Sequence, residues 1–274
     1  MFCLQSMKIV HFSDPHAGGG AEDWLAYFDK RWVGVFNYHF RRRFKHDLSK
    51  LELAVQYILD TRPDVAVCTG DLTSAGQPGE FASVIEVLKP LRDSDIPLIY
   101  MPGNHDCYVR RPKCVKAVND AVEYLSRNRF KFSDYPAFYD IGDVRFLLLN
   151  TSAPSNLLCS WGFVKKEDSD WICRICDREK RPEQVNILLS HYPMYEDHPI
   201  LRMRHRLFGQ QEILRLIEEG VIDLSLCGHV HKPYLRRTTD DRPLEECAGS
   251  VTRNGSMVEI NVENRIFDFR TITL

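Results

Sequence analysis

The stretch IDLSLCGHVHK, Ile222 to Lys232, opens with a run in which five of six residues suit a buried strand. Gly228 interrupts it, and His229 and His231 follow with one residue between them. In extended chain, alternate side chains share a face, so both imidazoles are expected to point the same way. Two imidazoles aimed at one spot where a strand ends suit a metal ion. A surface turn with two incidental histidines would read the same on these residues alone, so the rest of the chain must decide.

Outward from this stretch, further short apolar runs recur: KIVHFS, DVAVCTG, IPLIYMPG, VRFLLLN and VNILLSH. Helical patterns lie between them, at Asp47–Asp60, Pro78–Leu91, Pro112–Arg127, Glu167–Glu179 and Gly209–Glu219. Such alternation predicts an α/β chain, with a largely parallel sheet and covering helices. From Pro233 the character changes to short, turn-separated runs that predict an antiparallel meander. No internal repeat, low-complexity tract or linker is visible, so residues 1–274 are read as one domain with a helical insertion at about 22–46.

Ligands of open α/β sheets bind beyond the carboxyl ends of the strands. The runs are followed there by Asp14 and His16, by Asp71, by Asn104 and His105, by His191, and by His229 and His231. Singly, Asp and Asn in such places are ordinary turn residues. Together, oxygen and imidazole donors without thiolates suit manganese, iron, zinc or magnesium, and one carboxylate between two nitrogen-rich groups suits a pair of ions. Paired ions about 3.5–4 Å apart clamp the attacking and leaving oxygens of a displacement at phosphorus.

The ordered series D-x-H, GD, GNHD, an isolated H after a strand, and GH-x-H, from Asp14 to His231, resembles the calcineurin-like metallophosphoesterase superfamily. The resemblance implies a two-sheet β-sandwich flanked by helices, a four-layer αββα fold. It implies two divalent ions, manganese first, with Asp14, His16 and His231 on one, Asn104, His191 and His229 on the other, and Asp71 bridging. It implies that His105 is the general acid at the leaving oxygen. Many relatives place Asp three residues after the bridging Asp, where Ser74 stands here. That departure leaves open what orients His105 and mildly favours a phosphate leaving group over an alkoxide.

Between the first motif and Asp47, aromatic residues recur every four positions: Trp24, Phe28, Trp32, Phe36, Phe40 and Phe44. One straight helix would wind this stripe halfway round, so two short helices broken near Gly34 or Asn37 are expected. Lys30, Arg31, Arg41, Arg42, Arg43 and Lys45 flank it. Trp32, Phe36 and Phe40 therefore suit either a cap that accepts acyl chains or an anionic membrane surface, or an arm packed on the core. Arg202, Arg204 and Arg206 suit a grip on a diphosphate, or a solvated loop. The arm is similar to the branch that hydrolyses UDP-2,3-diacylglucosamine in lipid A biosynthesis, releasing a lipid phosphate and UMP. A phosphate-ester or nucleotide-lipid substrate is thus expected, with cyclic-nucleotide hydrolysis as the alternative. A non-catalytic scaffold is disfavoured because no ligand position is lost.

Composition excludes other classes. Thirty-six basic and 38 acidic residues give a net charge of −2, so no global pull toward nucleic acid exists. No apolar run approaches the roughly 18 residues of a spanning helix. The N-terminus lacks the pattern of a secretory signal, and a strand starts cleanly at Met7, an alternative translation start. Nine cysteines then read as reduced cytoplasmic thiols. Cys173 and Cys176 have half a zinc-site spacing, but no second pair follows, so they are expected to face a core. Oligomeric state is not legible.

Overall fold

A computed structural model describes residues 6–40, 45–154, 160–178, 184–196 and 205–274. The apolar runs become strands whose alternation divides two cores. In β1 (Met7–Phe12), Val10 and Phe12 face covering helices while Met7 and Ile9 face inward. β2 (Val65–Cys68) and β3 (Leu98–Tyr100) run parallel beside it. β12 (Ser256–Glu263) and β13 (Ile266–Thr273) add antiparallel on the other side, completing a five-stranded sheet in the order β13-β12-β1-β2-β3.

A second sheet of six strands is built from β4 (Ala137–Ile141), β5 (Val144–Leu148), β7 (Val185–Leu189), β9 (Leu224–Cys227), β10 (Tyr234–Arg237) and β11 (Pro243–Cys247), in the order β10-β11-β9-β7-β5-β4. A small parallel pair, β6 (Gly162–Phe163) with β8 (Leu207–Phe208), lies apart. Ile9, Val65, Val67 and Ile99 of the first sheet meet Val144, Phe146, Ile187 and Leu224 of the second in one dry core. Across it, buried His11 of β1 pairs with Glu246 of β11, and its other ring nitrogen lies 2.8 Å from Thr69 Oγ1. A polar link so deeply placed needs hydrogen-bond partners.

The outer faces are covered by helices. α1 (Arg31–Phe40) belongs to the arm, and α2 (Leu48–Thr61), α3 (Pro78–Asp93) and α4 (Pro112–Leu125) pack on the first sheet through Leu51, Ile58, Phe81, Leu88, Val118 and Val122. α5 (Lys166–Arg178) and α6 (Gln211–Glu218) pack on the second sheet, and a short α7 (Val251–Asn254) precedes β12. The layers are helix, sheet, sheet, helix, as expected from the resemblance. No helix among the described residues is long and apolar enough to cross a membrane.

Several expectations need correction. The tail is not one meander: its two hairpins join different sheets, and β11 pairs in parallel with β9. β4 was not anticipated; its residues are all half-buried, so it lacks the continuous apolar run that marks the inner strands. α2 starts at Leu48 because Asp47 caps it, accepting the Ser49 N–H at 3.0 Å. The arm breaks at residues 28–30, between a 3-10 turn (Trp24–Tyr27) and α1, so Gly34 and Asn37 both lie inside α1. Gly34 is there for contact: a Cβ would meet Ala75 Cβ at 2.8 Å and the Ser74 carbonyl at 3.2 Å. Cys176 is buried on α5 and Cys173 half-buried beside it, both facing the outer core. Burial pushes the Cys176 thiol up to about 12, which suits an inert thiol.

Candidate metal centre

The parallel strands β1, β2 and β3 of the first sheet and β7 and β9 of the second deliver their carboxyl ends to one edge. Two groups of potential ligands meet there: Asp14, His16, Asp71 and His231, and Asp71, His191 and His229. Asn104 joins the second, its Oδ1 lying 3.0 Å from His191 Nε2 and 2.9 Å from His229 Nδ1. In the first, His231 Nε2 is 2.8 Å from His16 Nε2 and 3.0 Å from Asp14 Oδ1. Asp71 Oδ2 lies 3.6 Å from His16 Nε2 and 3.4 Å from His191 Nε2, so one carboxylate faces both groups. All seven sequence-predicted ligand positions are brought together.

The donor chemistry fits a pair of cations. Asp14 Oδ1 is buried, and its near neighbours are imidazole nitrogens of the same group, His231 Nε2 at 3.0 Å and His16 Nε2 at 3.4 Å. The imidazoles are turned so that a lone pair faces inward. His16 Nδ1–H points at the Thr73 carbonyl at 3.2 Å and His191 Nδ1–H at the Thr69 carbonyl at 2.7 Å. Each bond fixes the tautomer that turns the Nε2 lone pair toward the other ligand groups. Burial works to raise Asp71, yet His191 and His105 beside it hold the carboxyl far below the usual range. Burial works to lower His191, but Asp71 raises it to about 9. Burial and then the neighbouring His191 and His205 hold His229 well down, as a neutral ligand requires.

The convergence of His229 and His231 has a different cause from the one the sequence implied. β9 ends at Cys227, and both histidines then adopt left-handed backbone, with φ of 69° and 55°. Asp14, His16 and Asp71 do the same, at 54°, 50° and 53°. Side chains other than glycine rarely sit there, and such positions gather at functional sites. The turn sends His229 to one group and His231 to the other. Gly228 permits it: a Cβ would meet Asp14 Oδ2 at 2.6 Å.

His105 stands beside both groups without joining either. Its backbone N–H donates to Asp71 Oδ1 at 2.7 Å, and its Nδ1–H donates to the Ser74 carbonyl at 2.7 Å. The main chain at Ser74 thus orients the ring, where an Asp side chain was the expected device. Tyr108 stacks on the ring at 5.1 Å between centroids, and Lys30 lies over Tyr108 at 4.3 Å.

Three residues escaped the sequence reading. Buried Asp106, the last residue of GNHD, accepts from Thr73 N–H (2.9 Å), Gly103 N–H (2.9 Å), Leu72 N–H (3.2 Å) and the Thr73 and Tyr100 hydroxyls. It ties the Asp71 loop to the Asn104 loop; burial and Asp71 raise it to about 6. His46 packs edge-on against His16, 4.9 Å between centroids, and His205 Nδ1 lies 3.0 Å from His229 Nε2. The motif could have flagged Asp106. No local pattern marks His46 or His205.

The arm's aromatics are not in the core. Trp24, Phe28, Trp32, Phe36 and Phe40 are 70%, 76%, 46%, 52% and 66% exposed, which overturns the core-packing expectation. Arg31 is not part of a solvated basic face either; it is buried and paired with Asp23 and Asp29 at 2.9 Å. Arg41, Arg42, Arg43, Phe44, Cys159, Arg202 and Arg204 lie outside the described residues. Arg206 is exposed and stacks on Phe208 at 4.6 Å.

The sequence pattern of the calcineurin-like phosphoesterases matches residues 7–233. The chain belongs to that family. Among curated proteins, this calcineurin-like phosphoesterase is 25% identical over 177 residues to a 3′,5′-cyclic-nucleotide phosphodiesterase of Nostoc sp., covering 64% of this chain and 58% of that one. It is 27% identical over 141 residues to a glycerophosphodiester phosphodiesterase of Enterobacter lignolyticus, covering 49% and 44%. The chain spans less than two thirds of the length of these curated relatives. A dimetal phosphatase from Danio rerio shares the fold, with a TM-score of 0.63 at 14% identity over 97% of this chain and 98% of that one. A purple acid phosphatase from yellow lupin aligns with a TM-score of 0.62 at 15% identity, over 97% and 52%.

Proposed function

We propose that the chain hydrolyses phosphodiester bonds of small substrates, with two divalent ions, manganese first, held by Asp14, His16, His231, Asn104, His191, His229 and bridging Asp71. The observation that carries this reading is the placement of His105, fixed by the Ser74 carbonyl beside two ligand groups that share one carboxylate. Ions bound there would activate water and neutralise charge that develops on phosphoryl oxygens. The protein's own part is to hold that charge in place and to supply a proton. With Nδ1 bonded to Ser74, the His105 proton available to a leaving oxygen is the one on Nε2. Asp71 fixes the same residue through its backbone N–H, so acid and ligand groups move together.

Cyclic nucleotides and glycerophosphodiesters are the first substrate classes, from the names of the curated relatives. UDP-2,3-diacylglucosamine, the expectation drawn from the arm, finds no support in those names, and the cyclic-nucleotide alternative fits them better. One observation keeps a lipid-facing reading in play. The aromatic face of the arm is exposed, while Gly34 seats its inner face on the Ser74–Ala75 loop that orients His105. An acylated substrate or an anionic membrane surface would meet aromatic side chains there.

The test is turnover by manganese-loaded protein of cyclic AMP, glycerophosphocholine, bis-p-nitrophenyl phosphate and UDP-2,3-diacylglucosamine. Hydrolysis of one or more of the first three, lost on chelation, is expected. Full metal content with no hydrolysis of any would overturn the reading.

A further inference from the structure

Beside the first ligand group lies an open recess of about 820 Å³ that the phosphodiester chemistry does not use. Three separate elements wall it: α1 through Tyr38, the start of α2 through Lys45, His46, Asp47 and Lys50, and α7 through Arg253. Its inner end is the ring of His46, 4.9 Å from His16 and 5.8 Å from His231 between centroids.

The wall is tied to the ligand loops. His46 Nδ1–H donates to Thr252 Oγ1 at 2.8 Å, and that hydroxyl donates in turn to the Pro15 carbonyl at 2.7 Å. Asn254 Nδ2–H donates to the His231 carbonyl at 3.1 Å. The recess therefore keeps its position relative to the ligands.

Its charge is one-sided. Lys45, Lys50 and Arg253 make no ion pair among the described residues, and Lys50 Nζ reaches only the Arg253 carbonyl at 3.4 Å. The one carboxylate on the wall, Asp47, lies near Lys50 and caps α2 by accepting the Ser49 N–H. That leaves three cations against one committed carboxylate. Cations that two elements contribute to the lining of one recess suit a dianionic phosphate.

We propose that this recess is an anion subsite that takes a second phosphate of the substrate, displaced from the scissile one across His46. The inference rests on the phosphodiesterase reading and deepens it. The substrates it singles out are nucleotide-like phosphodiesters bearing a further phosphate. A 3′,5′-cyclic nucleotide, with a single phosphate, leaves the recess unfilled.

A matched pair tests it: thymidine 5′-(p-nitrophenyl phosphate) with and without a 3′-phosphate, which share the scissile bond and leaving group. In the manganese-loaded parent, the 3′-phosphate should lower KM about tenfold, the scale of one or two charge-assisted hydrogen bonds. In the Lys45→Ala, Lys50→Ala, Arg253→Ala variant, with metal content and melting temperature checked, the ratio of the two KM values should approach one. A ratio near one in the parent, or an unchanged ratio in the variant, overturns the subsite. If neither ester is turned over, the phosphodiesterase reading loses its support, and calorimetric binding decides the subsite separately. Thymidine 3′,5′-bisphosphate should bind more tightly than thymidine 5′-monophosphate to the parent alone; equal binding overturns the proposal.

Discussion

The ring of His105 is oriented by the main-chain carbonyl of Ser74, 2.7 Å from its Nδ1. A carbonyl cannot be removed by changing the side chain. Ser74→Ala should therefore leave turnover within about threefold of the parent, because the proposed general-acid role needs the bond to Nδ1 and that bond remains. His105→Ala should cost about 10²–10⁴ in kcat and retain both ions. Metal analysis alongside kinetics checks this; loss of an ion from His105→Ala would place the residue among the ligands.

Asp71 faces both ligand groups, so its removal should be felt by both. Asp71→Ala is expected to abolish activity and to lower bound metal below one equivalent per chain. Two full equivalents by elemental analysis would refute the bridging role.

Asp106 accepts from five donors, four in two ligand-bearing loops and the fifth, the Tyr100 hydroxyl, on β3. In Asp106→Asn, an amide would face donors where a carboxylate stood. A loss of about 3 kcal/mol in urea unfolding of metal-free protein is expected, the scale for a buried, charge-assisted network. A loss under about 1 kcal/mol would show that the loops hold themselves.

Glu245 gives a pH signature away from the metal centre. Burial pushes it up from 4.5 to about 7, against the Tyr234 hydroxyl at 2.7 Å and the backbone N–H groups of Met194 and Tyr195. A carboxyl raised in the folded state binds more protons there than in the unfolded chain. Its contribution is full below the unfolded value and is lost as pH rises through about 7. Tyr234→Phe removes a donor to the ionised form. Its stability deficit should therefore be about 1.5–3 kcal/mol larger at pH 8 than at pH 5, by urea unfolding at fixed metal content. An equal deficit at both would assign the tyrosine a packing role.

The exposed arm separates substrate classes. Replacing Trp32, Phe36 and Phe40 by Ser should leave the melting temperature within a few degrees, because all three side chains are exposed. Hydrolysis of bis-p-nitrophenyl phosphate should hold. Sedimentation with vesicles of anionic lipid should weaken; unchanged sedimentation would end the membrane reading.

Much of the fold was legible because the ligand-bearing strands are continuous apolar runs, and the candidate metal positions because these runs end in residue types that can ligate. What could not be read has physical causes. β4 is half-buried and carries no run. β11 looks like a hairpin strand, yet it pairs in parallel with β9 because its partner is chosen by the sheet and not by its neighbours in sequence. The arm's spacing fitted a packed helix as well as a bare one, since a stripe fixes a face and not what covers it. His46 and His205 reach the centre only through tertiary contacts. The two-residue spacing of His229 and His231 suggested convergence by a strand, whereas a left-handed turn brings them together.

That left-handed geometry sets activity against robustness. Five of the seven ligand positions hold a Cβ-bearing residue in backbone that favours glycine, at a cost of about 1–2 kcal/mol each. The folded chain carries this cost whether or not ions are bound, and bound ions offset it through linkage. Drift at these positions toward glycine would relieve that strain and remove the ligating side chains. A relative that has lost the chemistry should therefore melt higher than its active cousins, and metal depletion in the cell would make the active form a substrate for proteolysis first.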